Sequence, residues 1–133
     1  MMLLTGYVAL FLILFNSGYY MLFRVIRKSR NRQRQIRLAK IAKRLMRYHR
    51  KIAVLSALFV ILHAGQAIME FGLTDLRPVQ WTGIGAMSVY LILLSSGWIR
   101  NQKATGRRKR AHRMMAFSAL LIIMIHVTTS ILN

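Results

Sequence analysis

The chain of 133 residues contains no cysteine, one proline and only two acidic residues. Without cysteine it cannot form a disulfide, a thiolate-ligated iron–sulfur cluster or a covalent C-x-x-C-H haem attachment. Any cofactor must therefore be held by non-covalent ligands and packing. The scarcity of acids leaves a net charge of +19, although 56% of the residues are hydrophobic. Soluble domains of this size seldom combine these two properties, which together indicate an integral membrane protein.

Four apolar segments each approach the roughly 20 residues that a hydrocarbon layer of about 30 Å requires. We predict spanning helices at residues 2–23, 49–71, 79–99 and 112–132. The first segment lacks the basic region and the A-x-A site of a signal peptide, and its apolar run is too long for one, so we expect it to be retained. The predicted fold is an all-α integral membrane four-helix bundle that forms a single domain over residues 1–133.

Positive charge is concentrated in two segments between the predicted spans. Thirteen of the 21 Lys and Arg residues fall within residues 24–51, and seven fall within residues 100–113. Both acids, Glu70 and Asp75, belong to the remaining loop. Because basic loops stay in the cytoplasm, we expect a multi-pass protein of the cytoplasmic (inner) cell membrane with both termini outside.

The two basic segments have different predicted structures. Residues 24–51 include apolar positions at helical spacing, which predicts an amphipathic helix that lies in the inner interface and leads directly into the second span. Residues 100–113 are predicted as a basic loop. A nucleic acid is not an expected partner, because topology and anionic lipid already account for positive charge that is confined to the membrane edges.

The four histidines form two pairs with a common spacing of fourteen residues, His49 with His63 and His112 with His126. Fourteen residues of α-helix advance about 21 Å and return to within about 40° of the same face. The predicted topology makes the second and fourth helices parallel. His49 is then level with His112 on the cytoplasmic side, and His63 is level with His126 nearer the outer side. Two bis-histidine pairs at two depths can hold two non-covalent b-type haems.

A lone imidazole in a helix is more often a packed, hydrogen-bonded side chain than a metal ligand. His49 and His112 also suit an ordinary position at the basic membrane edge. His63 and His126, however, lie in apolar sequence, where an unpaired polar ring costs free energy in lipid. The common spacing of all four on parallel helices favours axial ligation of haem iron.

Glycines and arginines complete the predicted haem sites. Glycines occur at the outer and inner depths of helices one and three, where the lack of a side chain lets a flat ring approach the backbone, although glycine is also common at helix contacts in membranes. These are Gly6, Gly18, Gly83 and Gly97. Arginines beside the two inner histidines either pair with haem propionates or serve only as a topology signal. These are Arg47, Arg50, Arg110 and Arg113.

A weak internal repeat accompanies this pattern. The sequence LFNSGY at 14–19 resembles LLSSGW at 93–98, and RYHR at 47–50 resembles RAHR at 110–113. The repeated unit is two helices joined by a basic segment, an arrangement that would place equivalent ligands on helices two and four.

The histidine and glycine pattern resembles the four-helix di-haem core of the cytochrome b of quinol-oxidising bc complexes. It is also similar to the transmembrane core of ferric reductases and NADPH oxidases. The resemblance covers nearly the whole chain and implies that His49, His63, His112 and His126 are axial ligands of two haems. It does not extend to the later helices that form the quinol-oxidation site in bc proteins. Nor does it extend to a flavin or nicotinamide domain, since the sequence has no G-x-G-x-x-G stretch. Haem ligation is therefore implied, but a substrate is not.

These features predict electron transfer across the membrane, from a quinol or a cytoplasmic flavoprotein to an acceptor on the outer face. No residue stands out as a nucleophile or general base, so an electron carrier and an oxidoreductase both remain open. One alternative is a haem-bearing subunit of a larger oxidoreductase complex that exchanges electrons with the quinone pool. The other is a small non-haem transporter or structural protein. The transporter is disfavoured because no acid lies in the middle of any predicted span.

Overall fold

The computed structural model describes residues 1–72, 76–103 and 105–132, and within these residues it contains four α-helices. They are α1 (Met2–Lys28), α2 (Arg32–Phe71), α3 (Pro78–Gln102) and α4 (Gly106–Leu132). Each helix is long and apolar enough to cross a membrane. The prediction of an all-α chain with four potential spans is thereby confirmed.

The basic stretches lie largely in the ends of helices. Helix α2 has 40 residues and runs without a break from the basic segment into the second apolar stretch. At about 1.5 Å per residue it is about 60 Å long, roughly twice the thickness of the hydrocarbon layer. Since α3 ends at Gln102 and α4 begins at Gly106, most of the predicted basic loop at 100–113 is also helical. In the predicted outer loop, Asp75 lies outside the described residues.

Two compact units make up the chain, Met1–His63 and Ala64–Asn133. The first contains α1 and most of α2, and the second contains the end of α2 together with α3 and α4, which pack against each other. Among the described residues few side chains are buried, and most of those are small or aromatic. They are Ala9, Ile13, Tyr19, Ala42 and Ser56 in the first unit, and Ala86, Tyr90, Ala119 and Ile123 in the second.

Large apolar side chains point outward along the helices. Phe11, Val54 and Leu121 are 66%, 70% and 64% exposed, respectively. Soluble proteins seldom expose continuous apolar surface of this kind, because water solvates it poorly. Lipid is the solvent that suits these helices.

Candidate functional site

Each histidine pair lies on one continuous helix. Helix α2 is unbroken through His49 and His63, and α4 is unbroken through His112 and His126. The rise of about 21 Å and the near-common face therefore apply to both pairs. Midway between the histidines of each pair is a small buried residue, Ser56 at 0% exposure on α2 and Ala119 at 1% on α4. The two histidines of each helix are thus separated by a closely packed turn.

The outer histidine of the first unit, His63, is held by the first turn of α1. Its Nδ1 lies 3.0 Å from the backbone carbonyl oxygen of Met2. A carbonyl oxygen only accepts, so His63 donates from Nδ1, and the lone pair of the neutral imidazole is on Nε2. The Thr5 hydroxyl donates to the same carbonyl at 2.8 Å. A Cβ at Gly6 would lie 3.0 Å from Cε1 of His63, so the absence of a side chain there admits the imidazole.

The outer histidine of the second unit, His126, has a closely similar environment. Its Nδ1 is 3.2 Å from the hydroxyl oxygen of Thr82, which itself donates to the Val79 carbonyl at 2.9 Å. With its proton directed to the Val79 carbonyl, the Thr82 hydroxyl is suited to accept from Nδ1 of His126, which would again leave the lone pair on Nε2. A Cβ at Gly83 would lie 3.0 Å from the imidazole.

The inner histidine of the second unit, His112, follows the same rule. Its Nδ1 is 2.8 Å from the hydroxyl oxygen of Ser96, and Ser96 donates to the Leu93 carbonyl at 2.7 Å. This contact suits a His112 that donates from Nδ1 and carries its lone pair on Nε2. A Cβ at Gly97 would lie 3.3 Å from Cε1 of His112.

The inner histidine of the first unit, His49, is instead held by an aromatic ring. The ring of Tyr19 meets the imidazole edge to face, with centroids 5.2 Å apart and planes at 89°. The Tyr19 hydroxyl donates to the Leu45 carbonyl at 2.9 Å, one turn before His49 on α2. Tyr19, which is only 7% exposed, thus fixes both the ring of His49 and the backbone that precedes it.

The spacing along α1 explains this difference. Both α1 and α3 begin with a Thr–Gly pair and contain a later Ser–Gly pair, but the two serines follow the threonines by twelve residues in α1 and by fourteen in α3. Two residues turn a helix through about 200°. Ser17 accordingly donates to the Ile13 carbonyl of its own helix at 2.8 Å, and a Cβ at Gly18 would meet nothing within 4 Å.

The predicted glycines and arginines have distinct environments. At three of the four glycines a histidine imidazole of the same unit occupies the space beside the missing side chain. These are Gly6, Gly83 and Gly97, whereas a Cβ at Gly18 would meet nothing within 4 Å. Contact between these glycines and a haem face stays a prediction. The four arginines beside the inner histidines have exposed side chains, and their contact with propionates also stays a prediction. They are Arg47, Arg50, Arg110 and Arg113.

Sequence reasoning missed the groups that hold the imidazoles, which are Tyr19, Thr82, Ser96 and the Met2 carbonyl. A signal for two of them was present, because a hydroxyl residue directly precedes each glycine that contacts a histidine. Serine and threonine bond readily to the carbonyl one turn back in a helix, which leaves the hydroxyl oxygen as an acceptor. Nothing in the sequence distinguishes Tyr19 from its neighbour Tyr20.

Imidazole nitrogens are donors of the kind that haem iron binds. In the described part of the chain, no three His, Cys, Asp or Glu side chains come together as a metal-binding group. A b-type haem needs only two axial ligands from the protein, because the porphyrin supplies the other four.

No family model matches the chain, and no curated protein or solved structure is significantly similar to it. The interpretation of the site therefore depends on its own residues.

Proposed function

We propose that the chain is a membrane cytochrome that holds two b-type haems and carries single electrons across the cytoplasmic membrane. The observation that supports this function most strongly is an oxygen atom within hydrogen-bond distance of Nδ1 in three histidines. Nδ1 of His63, His112 and His126 lies 3.0, 2.8 and 3.2 Å from its oxygen partner, an arrangement that suits a proton on Nδ1 and a lone pair on Nε2. Metal-ligating histidines are typically oriented in this way by a hydrogen bond from the other ring nitrogen.

The proposed ligand pairs follow from the spacing and the predicted topology. His49 is paired with His112 near the cytoplasmic side, and His63 is paired with His126 nearer the outer side. The rise of about 21 Å between the ligands of one helix separates the two sites along the membrane normal. This arrangement is the one that the resemblance to di-haem membrane cytochromes implies.

Haem, when bound, supplies an iron that gains and loses one electron at a time. The residues of the chain would hold and orient its ligands. The Met2 carbonyl and the Thr82 and Ser96 hydroxyls fix the ring orientation of three ligands. Four exposed arginines flank the inner ligands at matching positions and are suited to neutralise carboxylates. These are Arg47, Arg50, Arg110 and Arg113.

The proposed direction of transfer is outward. Moving an electron across about two-thirds of the hydrocarbon layer is worth roughly 1.5 kcal/mol per 100 mV of membrane potential, and a negative interior favours export. The proposed donor is a quinol or a cytoplasmic flavoprotein, and the acceptor lies on the outer face. A net charge of +19 that is concentrated in the predicted cytoplasmic segments attracts an acidic donor protein.

The first test is the absorption spectrum of protein purified from haem-sufficient cells. We expect a red preparation with two haems per chain and a bis-histidyl b-type spectrum that sharpens on reduction with dithionite. A colourless preparation would contradict the proposed function.

Ligand variants then test the pairing. His63→Ala and His126→Ala are each expected to lose one haem and to keep the other, and the two variants should lose the same one. Leu121→Ala, a change at an outward-facing residue of α4, is the control and should keep both. If His63→Ala and His126→Ala leave different haems behind, the pairing is wrong although ligation by histidine stands.

A further inference from the structure

The turn between α1 and α2 forms a strongly basic, open groove of about 590 Å³. Its apolar side is formed by Met21 and Val25, near the end of α1. Four cationic side chains line the rest of it, two from α1, one from the turn and one from α2. They are Arg24, Lys28, Arg30 and Arg34. The groove therefore has an apolar side next to a cluster of positive charge.

Hydrogen bonds fix the shape of this turn. The Ser29 backbone N–H donates to the Val25 carbonyl at 3.0 Å. The side-chain amide of Gln35 donates to the Ser29 carbonyl at 2.7 Å. The Asn31 side chain accepts from the backbone N–H of Arg34 at 3.1 Å, a typical start for a helix. The four cations thus project from a well-defined connection between two helices.

The chain supplies little negative charge to balance this cluster. Its two acids, Glu70 and Asp75, are far from the turn in sequence. Four cations held close together repel one another, and an anion with several oxygens relieves that repulsion through charge-assisted hydrogen bonds. The groove is therefore suited to a phosphate group.

We infer that this groove binds the phosphate headgroup of an anionic phospholipid whose acyl chains continue along α1 from Met21 and Val25. A cluster of Lys and Arg directly beside a membrane-spanning helix is the typical setting for such recognition. The apolar side favours a lipid over a free phosphate, which has no apolar part to place there. This site is independent of the histidines and requires no haem.

Lipid retention tests the inference. Protein is reconstituted in nanodiscs of equal parts phosphatidylcholine and phosphatidylglycerol, and the lipids that stay bound after detergent extraction are identified by native mass spectrometry. We expect wild-type protein to retain phosphatidylglycerol preferentially. The triple variant Arg24→Gln, Arg30→Gln, Arg34→Gln should weaken this retention about 100-fold, since each charge near the surface contributes about fivefold.

The matched control removes the same charge elsewhere. Arg107→Gln, Arg108→Gln, Lys109→Gln changes three exposed cations at the start of α4 that do not line the groove and should reduce retention much less than the groove variant does. Equal loss in the two triple variants would overturn the inference, because general surface charge would then explain the binding. The single variant Arg34→Gln, expected to weaken retention about fivefold, gives a second measurement if the triple variant does not fold by circular dichroism.

A direct binding measurement separates a lipid phosphate from a free phosphate as the ligand. Inorganic phosphate is added to lipid-free protein in detergent, and binding is measured by calorimetry. Weak binding, far below that of phosphatidylglycerol, supports a lipid site, whereas equal binding would overturn it in favour of a free-anion site. All of these variants keep the four histidines, so haem content reports separately on the proposed function.

Discussion

Helices α1 and α3 carry the same pair of short motifs, yet only α3 uses both of them to hold a histidine. The glycines of the outer Thr–Gly pairs behave alike, because Gly6 lies against His63 and Gly83 lies against His126. The inner Ser–Gly pairs differ, because Ser96 bonds to His112 whereas Ser17 donates to the Ile13 carbonyl of its own helix. A motif contacts a neighbouring helix only if its spacing places it on the side that faces that helix. A difference of two residues in the spacing rotates the motif by about 200°.

The inner site of α1 shows how such a loss is compensated. Here the contacts that a serine hydroxyl and a glycine make at His112 are absent, and Tyr19 makes two others. Its ring packs on His49, and its hydroxyl donates to the carbonyl of Leu45. The imidazole is therefore positioned by packing and by anchoring of its helix. This makes His49 the histidine whose environment departs most from that of the other three.

The glycines offer the sharpest test of this comparison. Gly83→Val and Gly6→Val place a branched side chain where a Cβ alone would be 3.0 Å from an imidazole carbon, so the ring must leave its position. Each variant is expected to lose one of the two haems, measured as the haem-to-protein ratio. Gly18→Val is the control and should keep both, because a Cβ there meets nothing within 4 Å. Haem loss in the control equal to that in the two variants would show that the glycines act on helix packing in general.

The two serines test the same difference more gently. Ser96→Ala removes the acceptor for Nδ1 of His112. Loss of a residue that hydrogen-bonds to a metal ligand typically weakens metal affinity by about 10–100-fold. Ser17→Ala removes only a bond within α1 and should change haem affinity by less than about twofold. Titration of haem-free protein with haemin measures both values. An equal effect of the two substitutions would refute the role assigned to Ser96.

Tyr19 gives the smallest expected effect. Tyr19→Phe keeps the ring against His49 but removes the hydroxyl bond to the Leu45 carbonyl, which contributes about 1 kcal/mol to stability. We expect a small fall in the thermal unfolding midpoint with both haems retained. Tyr7→Phe, at a tyrosine that is 63% exposed, should leave the midpoint unchanged. Loss of a haem in Tyr19→Phe would mean that the hydroxyl, and not the ring, positions His49.

Much of the fold could be predicted from the sequence because its signals are local. Apolar length identified the four helices, and the fourteen-residue spacing placed each histidine pair on one face of a continuous helix. The extent of the helices was harder to predict, because the basic stretches looked like separate segments. In the structure, α2 runs on from Arg32 without a break.

The groups around the imidazoles could not be predicted because they depend on how two helices pack. Whether Ser17 or Tyr19 faces α2 is decided by the rotation of α1 about its axis, which no local pattern specifies. Gly18 and Gly97 were assigned to corresponding depths of the first and third helices, and depth alone does not specify which glycine lies against a histidine. The twelve-residue spacing, as against fourteen, was the available evidence that they do not share a face.

The acceptors for Nδ1 of three histidines are all neutral oxygens, a carbonyl at His63 and hydroxyls at His126 and His112. A carboxylate in the same position would make the imidazole a more basic ligand and would stabilise ferric iron. Neutral acceptors do so less, and a net charge of +19 further disfavours the more positive oxidation state. In the proposed cytochrome both effects raise the reduction potentials, which makes the haems better acceptors for electrons from a weakly reducing donor such as a quinol.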